Sequence, residues 1–274
     1  MKDDKGKKEK EMENLGKIVP VISGKGGVGK STVAVNLALS LAKMGKRVAL
    51  IDADFYGPSI PTLLGGGEIK TDHEGKLIPP ETHGMKYVSL GFFLSNPDDA
   101  VIWRGPMFNK ALNQLFQDVN WGVVEYCIVD MPPGTGDAQI SLVQMVQLAG
   151  AVVVTTPQEV ALADVRKALS MLEKVNVPAL GIVENMSGFI APDGVRHDIF
   201  GSGGGKALAE AQGLPLLAQI PLDPAIREGG DVGMPVALVE GNNSSRELFQ
   251  GLANRVIEGV EALAAQGGET AVVN

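Results

Sequence analysis

Short apolar runs recur along this chain with helical patterns between them, and that alternation limits the fold more than any other feature. The runs at 17–22, 47–52, 86–90, 124–129, 150–155, 178–183 and 216–220 are short and often rich in valine or isoleucine. Strands of a parallel sheet read this way because helices cover both of its faces. Between runs, Ala34, Leu37, Ala38 and Leu41 recur at helical spacing, and Gly45 is placed to end that helix. Ser244-Ser245-Arg246-Glu247 reads as a capping box opening a last helix, with Leu248, Leu252, Val256 and Leu263 as its apolar face. The expectation is an α/β fold: one domain over 17–265, a mainly parallel sheet, and helices on both faces. Residues 1–16 mix Lys, Asp and Glu with almost nothing apolar, so a charged disordered tail is expected there, and a C-terminal tail over 266–274. Pro20 lies inside the first run and lacks a ladder donor, so either the strand starts there or it bulges.

The loop after the first run sharpens the fold class to a P-loop NTPase. Ser23-Gly24-Lys25-Gly26-Gly27-Val28-Gly29-Lys30-Ser31-Thr32 contains Gly-x-x-x-x-Gly-Lys-Ser/Thr between a strand and a helix. Glycines let consecutive backbone N–H groups turn inward onto phosphate, and the helix N-terminus adds partial positive charge. In this pattern Lys30 reaches the β- and γ-phosphates and the Ser31 hydroxyl binds Mg²⁺. Lys25 is an additional lysine with two readings. It is a solvated loop residue, or a second charge delivered to phosphate across a dimer interface in the manner of an arginine finger.

Carboxylates follow at strand ends, where open α/β sheets hold their ligands. Val48-Ala49-Leu50-Ile51 runs into Asp52 and Asp54, and Tyr126-Cys127-Ile128-Val129 into Asp130. Asp130 fits a role at Mg²⁺, directly or through water. Asp54 is placed to orient an attacking water and Asp52 to support the metal shell, or both simply open a polar loop. Asp137, after the Pro- and Gly-rich stretch 132–136, reads as a helix N-cap. Val183-Glu184-Asn185-Met186 offers Asn185 without the lysine and carboxylate of a guanine-selecting motif, which favours ATP. Asn185 is expected at a strand end, on the base edge or on its own loop backbone.

The longer strings IDADFYGPSIP, VDMPPGTGDAQISL, TTPQEVALADVRKAL, GIVENMSGF, IFGSGGG and IPLDPAIREGGDVGMPV resemble the Mrp/ApbC iron–sulfur cluster carrier ATPases. These belong to the deviant Walker-A group with MinD and ParA, and the likeness runs from about 17 to 263. The resemblance implies a homodimer whose subunits face each other across their ATP. It makes Lys25 the lysine that reaches the partner's ATP. Gly24, Gly26, Gly27, Val28, Gly29, Lys30, Ser31 and Thr32 would hold phosphate and Mg²⁺, Asp54 would position water, Asp130 would serve the Mg²⁺ site, and Asn185 would contact adenine. Partners would be iron–sulfur scaffolds or apoprotein clients.

One departure is large. Where the family usually carries Cys-Pro-x-Cys, this chain reads Ala191-Pro192-Asp193-Gly194, and neither alanine nor glycine offers the thiolate that a cluster takes. Cys127, the one cysteine, lies mid-strand and reads as a small hydrophobe. His73, His83 and His197 are dispersed without ligand spacing. The sequence alone therefore supports an ATPase and does not support a cluster site, and a MinD- or ParA-like switch without cluster stays open. Composition narrows the alternatives. A net charge of -8 disfavours nucleic acid, and no apolar run reaches the roughly 18–20 residues of a membrane span. The charged start has no apolar signal segment. A lone cysteine fits a reducing compartment such as the cytoplasm.

Overall fold

The computed structural model describes residues 15–55, 57–93, 105–241 and 243–270. Along the chain run β1 (Lys17–Ser23), α1 (Lys30–Lys43), β2 (Val48–Asp52), α2 (Ile60–Leu63), β3 (Lys70–Thr71), β4 (Leu77–Ile78), β5 (Glu81–Thr82) and β6 (Met85–Ser89). Then come α3 (Gly105–Gln117), β7 (Tyr126–Asp130), α4 (Asp137–Met145), β8 (Ala151–Thr155), α5 (Glu159–Lys174) and β9 (Ala179–Ile190). Last are β10 (Arg196–His197), α6 (Gly204–Ala211), β11 (Leu216–Leu222), α7 (Pro224–Asp231) and α8 (Ser244–Thr270). All the expected strands form.

They make one sheet in the order β10-β9-β8-β1-β7-β2-β6-β5, with β11 also paired to β9. The pairs β1–β7, β1–β8, β2–β6, β2–β7, β8–β9 and β9–β11 are parallel, and only the short β10 and β5 run antiparallel to their neighbours. Side chains alternate between two cores, as the pleat requires. Val19, Val21, Leu50 and Ile128 face α1 and α8, where Leu37, Phe249, Leu252 and Val256 pack. Ile18, Ile22, Ile51 and Val129 face the other layer, where Leu112, Phe116, Val165 and Leu208 pack. Helix α1 is buried almost all round because α8 closes its outer side. Its one interior amide, Asn36, donates to Thr32 O and accepts from Ala237 N, so no buried polar atom of it is left unpaired.

Several expectations need correction. Leu15, within the expected 1–16 tail, is fully buried in the fold; residues 1–14 lie outside the described ones. At the other end α8 continues to Thr270, past the expected boundary at 265. The cap of α8 is Asn243, whose side chain accepts from Arg246 N, rather than a box opened by Ser244. Helix α4 starts at Asp137 itself, with Gly136 in the capping position. Pro20 neither starts nor bulges β1: it pairs with Val129 on one side, while the β8 ladder begins only at Val21. The missing donor thus falls in the gap before that ladder. Gly45 ends α1 as expected, in the left-handed region at φ 80°.

Candidate functional site

The carboxyl ends of β1, β2, β7 and β8 share one edge. In register, Asp52 sits opposite Asp130, Val21 opposite Asp130, and Ser23 opposite Val154. The glycine loop leaves β1 at this edge and enters α1. Gly27 and Gly29, on either side of Val28, take φ 80° and 81°. Such reversals turn consecutive N–H groups into a concave anion nest. Gly24 is needed for a different reason: a Cβ there would lie 2.3 Å from the Asp164 backbone carbon in α5. The loop is also tied from outside, with Ser23 Oγ donating to Lys25 O at 2.9 Å and Gly134 N to Ser23 O at 2.9 Å. Below it lies a cleft of about 320 Å³, lined by Lys25, Gly26, Gly27, Gly29, Lys30, Ser31, Thr32 and Asp54, with Ser59, Leu63 and Pro133 among its walls.

Four of the expected residues meet in the cleft. Lys30 Nζ is 2.5 Å from Asp130 Oδ1, 3.4 Å from Asp54 Oδ2 and 3.4 Å from Ser31 Oγ. Lys30 is 6% exposed and Asp130 not at all, so this ion pair is screened little by water. Burial pushes the Asp130 carboxyl up and the ammonium pulls it back down. Asp130 Oδ2 is buried without a hydrogen-bond partner. An orphaned carboxylate oxygen beside a serine hydroxyl is a donor set that a hard, oxygen-seeking cation suits, so these residues fit Mg²⁺.

Both carboxylate oxygens of Asp52 are engaged by donors of the fold. Its Oδ1 accepts from Asp54 N at 3.2 Å, and its Oδ2 from Ile60 N at 3.2 Å and Ser89 Oγ at 2.9 Å. It therefore ties down the main chain at Asp54 and Ile60. Burial, then repulsion from Asp130, push its carboxyl up to about 8. Asn185 lies within β9 rather than at its end, and its amide donates to Val28 O at 2.8 Å. Lys25 is half-buried at the mouth of the cleft. Reading the sequence missed Ser89, whose contact comes from the β2–β6 pairing, and Gln139, which donates to Pro132 O and Gly134 O and shapes the proline-rich loop.

The positions of the missing cysteines form the tip of a hairpin between β9 and β10. Ala191 N donates to Val195 O, Gly194 N to Ala191 O, and Val195 N to Asp193 Oδ1, so the turn satisfies itself. Cys127 is fully buried, and burial pushes its thiol far above the ordinary range. Among the described residues no group of three His, Cys, Asp or Glu could hold a metal ion, and no helix is long and apolar enough to cross a membrane.

Comparison with known proteins agrees with this architecture. The chain is 49% identical over 246 residues to an iron–sulfur cluster carrier protein of Synechocystis, covering 87% of this chain and 69% of that one. It is 44% identical over 275 residues to the iron–sulfur cluster carrier protein of Pyrococcus horikoshii, covering 96% and 92%. Among solved structures, an Archaeoglobus fulgidus nucleotide-binding protein in complex with ADP superposes with a TM-score of 0.75 at 36% identity, covering 89% and 96%. The Pyrococcus horikoshii septum site-determining protein MinD, complexed with Mg-ADP, shares the fold with a TM-score of 0.66 at 24% identity, covering 88% and 96%. A family model described as NUBPL iron-transfer P-loop NTPase matches residues 14–257, and the chain belongs to that family.

Proposed function

We propose that this chain binds Mg²⁺–ATP and hydrolyses it, as a homodimer joined across the nucleotide face, in iron–sulfur cluster assembly or transfer. One observation carries the ATPase reading: Lys30 rises from the glycine loop between two carboxylates, Asp130 at 2.5 Å and Asp54 at 3.4 Å. The loop N–H groups bind the phosphate oxygens, and Lys30 exchanges its carboxylate contacts for the β- and γ-phosphates. Asp54, at the cleft wall, orients the attacking water and accepts its proton. Mg²⁺, when bound, would be held by Ser31 and Asp130 and would supply charge neutralisation on the phosphates. Asp52 serves that shell from behind, by fixing Asp54. Asn185 has its amide N–H₂ on Val28, which leaves its Oδ1 as the acceptor for an adenine amino group. Lys25 reaches the partner's nucleotide.

Fluorescent-ATP titration and phosphate release test this reading, with wild type beside Lys30→Ala. Wild type should bind and turn over ATP slowly, and the variant should lose binding or turnover. A wild-type chain that binds no ATP in the presence of Mg²⁺ would overturn it.

The cluster, as cargo, is not held by this chain's own thiols at the hairpin, since Ala191 and Gly194 stand there. The family relationship favours a role in cluster handling with thiolates supplied by a scaffold or client. The same substitution favours a second reading, a nucleotide-switched interaction protein with no cluster. Anaerobic reconstitution with iron and sulfide, with and without a scaffold partner, separates the two. Cluster absorbance only with the partner supports the first, and none in either case supports the second.

A further inference from the structure

Strand β9 changes character where it passes the glycine loop. Its register against β11 slips between Ile220 and Leu222: Ile220 pairs with Asn185, yet Leu222 pairs with Phe189. The extra residues form a bulge in which Met186 takes φ 55°, a conformation that a bulky side chain adopts only when its surroundings impose it. Bulges re-aim side chains. Here the neighbour re-aimed is Asn185, nine-tenths buried, whose Nδ2 donates to Val28 O at 2.8 Å. The two meet across 157 positions of sequence. The approach is close enough that a Cβ at Gly29 would lie 2.2 Å from Asn185 Nδ2 and 3.8 Å from the Met186 methyl carbon. From the other side Arg196 holds the bulge, donating to Ser187 O.

A nest that turns its N–H groups toward a ligand must turn carbonyls away from it, into the protein. Val28 is the residue between the two left-handed glycines, and its own side chain is buried. A carbonyl facing inward there needs a donor, since the protein interior gives it no water. Only the amide nitrogen of Asn185 can donate, so the carbonyl also fixes which way that amide faces.

We infer that Asn185, aimed by the bulge at Met186, is a positioning residue that braces the glycine loop at Val28 and so sets the loop's affinity for polyphosphate itself, whatever base is attached. This goes beyond a contact with adenine. It rests on the polyphosphate reading of the loop for its affinity arm, and on the nucleotide-free protein for its exchange arm.

The test uses Asn185→Leu, which keeps the bulk and removes the donor, with Asn185→Ala beside it. Mg²⁺ and inorganic tripolyphosphate are titrated by calorimetry into wild type and both variants, then ATP. Amide exchange of the nucleotide-free proteins is followed by mass spectrometry over peptides spanning 23–33 and over the core strands β1, β7 and β8. Tripolyphosphate affinity should fall on the order of tenfold in the variants. Exchange over 23–33 should quicken while the core strands keep wild-type protection, a pattern that general loss of stability does not give. Tripolyphosphate binding within about twofold of wild type, with ATP alone weakened, would assign Asn185 to the base and overturn the brace. Unchanged exchange over 23–33 would overturn it too. If the wild-type chain binds neither ligand, the nucleotide reading fails and exchange alone decides the brace. If one variant fails to fold, the other carries both measurements. If both fail, Asn185→Asp, which keeps the shape and removes only the amide donor, decides by the same exchange: faster exchange over 23–33 supports the brace, and wild-type protection there overturns it.

Discussion

Asp52→Asn should flatten the pH dependence of folding in the nucleotide-free protein. In the fold, burial and the facing Asp130 push the Asp52 carboxyl up to about 8 from 3.8, against the pull of Ser89, the Ile60 N–H and Lys30. Between those two values the native state holds a proton that the unfolded chain has released. The native state therefore loses stability as pH rises through that window, by up to about 1.4 kcal/mol per pH unit, and the loss levels off above the folded value. Asparagine keeps the shape and cannot titrate. From pH 5 to pH 7 the wild type should thus lose about 2–3 kcal/mol relative to the variant. The asparagine N–H₂ must face one of the three donors that Asp52 accepts from. That adds a constant offset and leaves the slope untouched. Urea unfolding at pH 5, 6 and 7, without nucleotide or Mg²⁺, gives the difference directly. Asp130 is also held above the usual carboxylate range, so the variant keeps a slope of its own, and the quantity to follow is wild type minus variant. A difference that stays constant from pH 5 to pH 7 would show that Asp52 is ionised in the fold and that the reasoning is wrong.

Asp54→Ala should bind ATP near wild-type affinity and lose most of its phosphate release; normal turnover would remove Asp54 from the water-positioning role. Lys25→Ala should remain monomeric by light scattering with Mg²⁺–ATP under conditions where wild type dimerises; equal dimerisation would return Lys25 to a solvated loop residue. Gly24→Ala should weaken ATP binding at least tenfold, because its Cβ would meet the α5 backbone at 2.3 Å and push the loop off its seat. Unaltered affinity would mean that the loop tolerates the shift.

The strands were legible because a sheet covered on both faces leaves uninterrupted apolar runs, and the glycine loop because its spacing is dictated by phosphate. Leu15 was not: one apolar residue in a charged stretch has no periodicity, and only its burial reveals it. The carboxylates could be placed at the correct edge, with Asp54 read as orienting water and Asp52 as supporting the metal shell. That the Asp52 oxygens are engaged by donors could not be read, because Ser89 is brought in only by the pairing of β2 with β6. Asn185 was visible as a polar residue after an apolar run. The left-handed Met186 that follows leaves no trace in residue pattern, so neither the continuation of β9 nor the contact with Val28 could be foreseen.

The hairpin tip at 191–194 is where the sequence resemblance leads one to expect a pair of cysteines. Gly194 takes φ 83°, and a Cβ built there meets nothing within 4 Å. A cysteine at 194 would therefore meet a torsional penalty of about 1–2 kcal/mol and no collision. Thiolate–metal bonding can release several times that amount. The turn closes through main-chain bonds and Asp193, none of which requires the side chain at 191 or 194. Two substitutions, Ala191→Cys and Gly194→Cys, should thus graft a ligand pair onto an intact scaffold. At this tip two side chains separate the chain from a thiol pair, with the backbone that would present them already in place.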